Sequence, residues 1–160
     1  MTEQPHSFTP NDALKLTRLK RWRDLIAQLA EPVELRNEDT RKAIGNAVFE
    51  MDTVIGGYSD EWTGHFCPTA ACAVGSAALH PWFIAQGLER NPKVGNSLKL
   101  HGEPVQYIDP RIANFFGLDH ATYLGITNPV AYQLPDITLA DVLERIDAAI
   151  DSFIAIGAAP

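Results

Sequence analysis

Pro68 to Leu79 reads P-T-A-A-C-A-V-G-S-A-A-L, a run that is small or apolar in every direction. A helix without a polar face is buried on all sides, and Ala, Gly and Ser positions let its neighbours approach closely. The run therefore predicts a central helix over 68–79, with the rest of the chain packed around it. His80-Pro81 closes it, because the residue before a proline is disfavoured in the helical region. Pro81 then opens a short helix through Trp82, Phe83 and Ile84, which Gly87 stops.

On the N-terminal side, Thr9 and Pro10 give a cap and a first turn for a helix reaching about Ala30. Leu19, Trp22, Ile26 and Leu29 recur along it at helical spacing as one apolar stripe. Pro32 separates it from a second helix predicted over Asn37 to Met51, whose apolar face is Ala43, Ile44, Ala47, Val48 and Met51. Gly45 in that pattern costs roughly 1 kcal/mol against alanine.

On the C-terminal side, turn residues at Asn91-Pro92, Gly95-Asn96 and Gly102 bracket Leu98-Lys99-Leu100 and Val105-Gln106-Tyr107. Both triplets alternate apolar and polar, which predicts a small hairpin. Asp109-Pro110 starts a helix with Ile112, Phe115 and Phe116 on its buried side. Asp119 caps a second short one carrying Ala121, Tyr123 and Leu124. Thr138 to Ile156 is the most regular helix, with Leu139, Val142, Leu143, Ile146, Ala149, Ile150 and Phe153 on one stripe. The expected fold is mainly α: a compact bundle of five to seven helices around 68–79, with one small β-hairpin near 98–107. Residues 1–8 are expected to be a disordered lead, and 9–160 a single domain.

At 160 residues, 46% of them hydrophobic, the chain has enough apolar material for one core. The formal net charge of −7 falls entirely after residue 50, where twelve acidic residues face five basic ones. Such a surface repels phosphate backbones and disfavours nucleic acid and anionic membranes as partners. No apolar run reaches the roughly 18 residues of a membrane span. Two cysteines make no disulfide framework, and a cytoplasmic location is the default expectation.

The most chemical stretch is His65-Phe66-Cys67-Pro68-Thr69-Ala70-Ala71-Cys72, with His80 eight residues on. Cys and His are zinc ligands, so His65, Cys67, Cys72 and His80 form one candidate metal set. Their spacing matches no standard zinc pattern. Five residues on a helix turn about 140°, so Cys67 and Cys72 point apart if both are helical. A cysteine at a helix start has a lowered pKa, which makes Cys67 a candidate nucleophile with His65 as its base. C-x4-C is not the C-x-x-C of redox proteins. Against these stands the plainer reading, two thiols acting as small hydrophobes in a crowded core, and it outweighs them.

Two further patterns carry less chemistry. Ala113, Gly117, Tyr123 and Ile126 fit the offsets of a helix-turn-helix, but the second helix has no Lys or Arg to read DNA, which favours an ordinary αα-corner. Lys15, Arg18, Lys20, Arg21 and Arg23 spread around their helix at 100° per residue and read as a solvated face. No phosphate-binding loop or paired-ligand motif is present, and no cofactor is expected.

Cys67 to Gly75, C-P-T-A-A-C-A-V-G, resembles a C-G-T-x-A-C-x-x-G signature found in small, uncharacterised proteins of bacteria and phages. The flanking Phe49-Glu50-Met51-Asp52 and Phe115-Phe116-Gly117-Leu118 extend the resemblance over roughly 49 to 150. It implies a shared fold with the signature starting a central helix, and no activity. Pro68 stands where the signature has glycine, which argues against a loop that admits a ligand to the backbone. The functional expectation is a non-catalytic protein-interaction or accessory domain whose partner is an unidentified protein or a second copy of the chain. Trp62, Trp82 and Phe83 are its candidate contact residues, since aromatics dominate interface energetics. The alternative is a thiol-dependent enzyme or metal-binding protein centred on Cys67 and His65.

Overall fold

The computed structural model describes residues 9–31, 33–44, 48–49, 70–71, 73–91, 97–106, 109–127 and 139–158. Among them are seven α-helices and five short strands. In chain order these are α1 (Pro10–Ala30), a 3₁₀ turn (Val33–Leu35), α2 (Glu38–Ile44), β1 (Val48–Phe49), β2 (Ala70–Ala71), α3 (Ala73–Leu79) and α4 (Pro81–Ala85). Then come β3 (Leu88–Arg90), β4 (Ser97–Leu100), β5 (Glu103–Gln106), α5 (Pro110–Phe115), α6 (His120–Thr127) and α7 (Leu139–Ala158). The fold is mainly helical with a small antiparallel sheet. No described helix is long and apolar enough to cross a membrane.

The small-residue helix is central. Ala73, Val74, Gly75, Ser76, Ala77 and Ala78 are all buried, and α3 touches α1, α2, α4, α6, β2 and β3. It is shorter than the 68–79 run suggests, because Ala70–Ala71 are extended and pair in parallel with Val48–Phe49. The second helix is likewise shorter than Asn37 to Met51, ending at Ile44 directly before Gly45. Val48 and Phe49 are better strand than helix formers. The side chains proposed for the buried face of that helix, like the N-terminal lead at 1–8, lie outside the described residues.

Trp22 of α1 holds the centre together. Its ring is 0% exposed, stacks on Phe116 at 4.2 Å between centroids, and donates from Nε1 to the Ala73 carbonyl at 2.8 Å. Phe116 in turn meets Phe83 at 5.8 Å and Phe115 at 5.0 Å. The apolar stripes of α1 and α7 close over this cluster, Leu19, Ile26, Val142 and Ile146 being fully buried. Thr9 caps α1 through a reciprocal bond pair with Asp12.

Arg18 corrects the view of the basic cluster as a solvated face. It is only 9% exposed, lies 4.1 Å over the Phe115 ring and donates to the Phe115 carbonyl at 3.2 Å. Its neighbours are also committed. Lys15 reaches Asn114 at 3.0 Å, and Arg23 pairs with Asp147 at 2.9 Å.

The predicted hairpin exists as β4–β5, joined by the two-residue turn His101-Gly102 with φ of 51° and 84°. Both values are those of the mirror-image turn that suits a twisted hairpin. A third strand, β3, pairs antiparallel with β4 from Leu88↔Leu100 to Arg90↔Leu98. The αα-corner after α5 is also as read. Gly117 at φ +74° lets the Leu118 and Gly117 amides bond back to the Ala113 and Asn114 carbonyls at 2.9 and 3.0 Å. That is the Schellman arrangement.

Candidate binding cleft

Arg21, Asp24 and Gln28 follow one another at helical spacing and share one face of α1. Opposite them stand Asn37 at the start of α2, and His80 with Trp82 at the junction of α3 and α4. Together they line a cleft of about 460 Å³, a size within the range of ligand sites.

Three polar side chains in this wall, Gln28, Asn37 and His80, have a structural task that uses an acceptor atom. The Asn37 Oδ1 accepts from the Thr40 amide at 2.8 Å and caps α2. The Gln28 Oε1 accepts from the Asn37 amide at 2.7 Å and ties α2 to α1. His80 caps α4, its Nδ1 accepting from the Trp82 amide at 3.2 Å. An imidazole accepting at Nδ1 carries its proton on Nε2. Among the described residues the Gln28 and Asn37 amide nitrogens and His80 Nε2–H have no hydrogen-bond partner, and all three are donors.

Trp82 is half-buried at this cleft. The Arg21 guanidinium lies 4.5 Å from its ring centroid, within cation–π range, and Phe83 meets it edge-on at 5.0 Å and 89°. Phe83 is itself only 1% exposed, so it backs Trp82 and links it to the core instead of offering a contact surface of its own.

Burial holds the His80 imidazole below the ordinary histidine value. The Arg21 charge pushes the same way and Asp39 opposes both. Below about pH 6.5 the unfolded chain takes up this proton before the folded one does. His80 therefore costs the fold nothing above that pH, and stability drains away as pH falls through about 6.5 toward the lowered folded value. Asparagine caps without titrating. The stability of His80→Asn relative to the parent, from urea melts, is expected to rise between about pH 7.5 and about pH 5. Parallel curves would show that His80 is not shielded from solvent as described.

A larger groove of about 700 Å³ runs between α6 and α7, past Gly117, Ala121, Gly125, Ala148, Ala149 and Ser152. Its charged groups are spent locally. The Asp119 carboxylate takes the Thr122 amide and hydroxyl, each at 2.8 Å, and Arg145 donates to the Gly125 carbonyl. It offers small apolar walls and little to orient a ligand.

Of the residues singled out from sequence, the structure brings His80 and Trp82 to one cleft, backed by Phe83. Trp62, His65, Cys67 and Cys72 lie outside the described residues. Among the described residues no three His, Cys, Asp or Glu side chains are grouped to hold a metal, and the Nδ1 of His80 is already engaged. Gln28, Asn37 and Arg21 were not foreseen as site residues. Asn37 was legible as a cap before Glu38-Asp39, but nothing in the sequence pairs Gln28 with it. No protein-family model matches the chain, and comparisons with curated proteins and with solved structures return no match.

Proposed function

We propose that this domain is a non-catalytic protein-interaction module that takes its partner at the Arg21–Trp82 cleft. The observation that carries the reading is Trp82, a half-buried indole fixed by Arg21 and Phe83 beside a cleft of about 460 Å³. Trp and Arg are the residues most enriched at interface hot spots, where rigid aromatic anchors lose little entropy on binding. Gln28, Asn37 and His80 are already held by backbone bonds, so these three side chains lose little freedom on association.

Photo-cross-linking tests this. A photoreactive residue replaces Asp24, whose side chain is 76% exposed beside the cleft, and in a control replaces the exposed Glu144 of α7. In cells that make the protein, position 24 is expected to give a discrete protein adduct that position 144 does not. Trp82→Ala should cut that adduct by about tenfold or more, in the range of hot-spot losses, while circular dichroism still reports a folded domain. Equal adducts from both positions, or an adduct indifferent to Trp82→Ala, would overturn the assignment.

A further inference from the structure

We infer that the cleft's occupant is an acidic segment of the partner protein, one of whose Asp or Glu carboxylates is held by Arg21, Gln28, Asn37 and His80. This deepens the interaction reading above and rests on it.

The inference follows from which hydrogen-bonding capacity is spent and which is left. The Gln28 Oε1, the Asn37 Oδ1 and the His80 Nδ1 each accept a backbone amide, at 2.7, 2.8 and 3.2 Å. What these side chains still offer is two amide NH2 groups and one imidazole N–H. Donor groups with no partner among the described residues favour a ligand that brings acceptors, even with the Asp24 carboxylate in the same wall.

Charge narrows the class. Arg23 lines the same cleft, but its guanidinium is shared between Asp147 at 2.9 Å and Asp24 at 3.9 Å. Arg21 forms no ion pair among the described residues; its guanidinium rests on the Trp82 ring. Arg21, without an ion pair among the described residues, and the neutral donors beside it match a single negative charge, against the Asp24 carboxylate of the same wall and Asp39, whose charge reaches His80. A phosphate would bring about two charges at neutral pH against a single guanidinium, with Asp24 close by. A carboxylate is planar, accepts at two oxygens and carries one charge, which suits guanidinium and amide donors together.

The chain's net charge of −7 does not forbid an acidic partner. The screening length at physiological salt is about 8 Å, so a carboxylate seated against Arg21 feels its immediate donors most. It does predict slow encounter and an affinity set by contact instead of long-range steering.

The test uses the full chain, labelled with nitrogen-15, and three blocked hexapeptides differing only at two central positions: glutamate, glutamine or lysine. Acetate and inorganic phosphate alone serve as anion controls. Side-chain amide signals of Gln28 and Asn37 and the Trp82 indole signal report binding. The glutamate peptide is expected to shift all three saturably, about tenfold or more tighter than the glutamine peptide, as a charge-assisted contact requires.

Two isosteric variants separate chemistry from folding. Asn37→Asp and Gln28→Glu each keep the acceptor that bonds the backbone but replace the donor with a carboxylate. Each should leave the melting temperature close to the parent's and abolish binding of the glutamate peptide. Arg21→Met, which keeps an apolar stem over Trp82, should weaken it in parallel. Equal or tighter binding of the glutamine or lysine peptide would overturn the carboxylate assignment and leave the interaction reading standing. Shifts from phosphate alone, with none from the glutamate peptide, would mark adventitious anion binding and overturn it too. If no peptide moves these signals the inference fails, and the cross-linking experiment then decides whether the interaction reading fails with it.

Discussion

Replacing Trp22 with alanine is expected to lower stability by about 3–5 kcal/mol, the range for removing a fully buried aromatic. The site leaves little room for compensation. The ring is 0% exposed, stacks on Phe116 at 4.2 Å and lies 6.4 Å from Tyr123, so three elements lose a shared neighbour at once. The Nε1 bond to the Ala73 carbonyl also fixes where α3 begins against α1. Trp22→Phe keeps most of the volume and removes that bond, for about 1 kcal/mol of its net value. Since domains of this size are stable by only about 5–15 kcal/mol, the alanine variant should be largely unfolded at moderate urea. Equilibrium urea melts measure both variants. A loss below about 1 kcal/mol for alanine would mean that Trp22 is not the centre of the core.

Gly117→Ala is the second large effect, and Gly102→Ala is its internal control. Both glycines have left-handed backbones, at φ +74° and +84°, which cost an alanine about 1–2 kcal/mol. They differ in surroundings. A Cβ at Gly102 meets nothing within 4 Å, whereas one at Gly117 falls 2.5 Å from Phe153 Cε2 and 3.0 Å from Lys15 Cβ. Crowding of that kind adds about 1–3 kcal/mol, because Phe153 belongs to α7 and Lys15 to α1, and both must give way. Chemical melts should therefore rank Gly117→Ala well below Gly102→Ala. Equal losses would mean that α1 and α7 do not close on this corner.

The elements legible in sequence were those whose signals are local. Thr9-Pro10, Asp109-Pro110 and Asp119 each name a cap, and the stripes along α1 and α7 survive as buried faces because 3.6-residue periodicity needs no tertiary information. Where tertiary pairing decided, sequence was less informative. Ala70–Ala71 became a strand because Val48–Phe49 is there to pair with it, a contact between distant positions. β3 was hidden because Leu88–Arg90 is too short to show alternation, and only its partner Leu98–Leu100 reveals it. Arg18 was misread because a helical wheel places charges without showing that Phe115 and its carbonyl sit above one of them.

The cleft divides in the same way. His80, Trp82 and Phe83 stood out as residue types, and His80-Pro81 announced a helix boundary. The His80 cap is local, reaching the amide two residues on, but the bond that draws Gln28 to the Asn37 backbone depends on α1 and α2 meeting. No spacing rule encodes that bond. Composition, at net −7, would by itself point away from an acidic partner; only the local count of donors and Arg21, without an ion pair among the described residues, point toward one.

The donor wall is most directly tested by the tautomer of His80, read from the long-range proton–nitrogen-15 spectrum of its imidazole near pH 7.5. Nitrogen shifts distinguish a protonated from a bare ring nitrogen. The cap bond to Trp82 and the burial of the ring predict a neutral imidazole with its proton on Nε2 and none on Nδ1. A charged ring at that pH would mean that His80 does not cap α4 as described, and a proton on Nδ1 with a bare Nε2 would break the cap and also remove one of the donors assigned to the carboxylate.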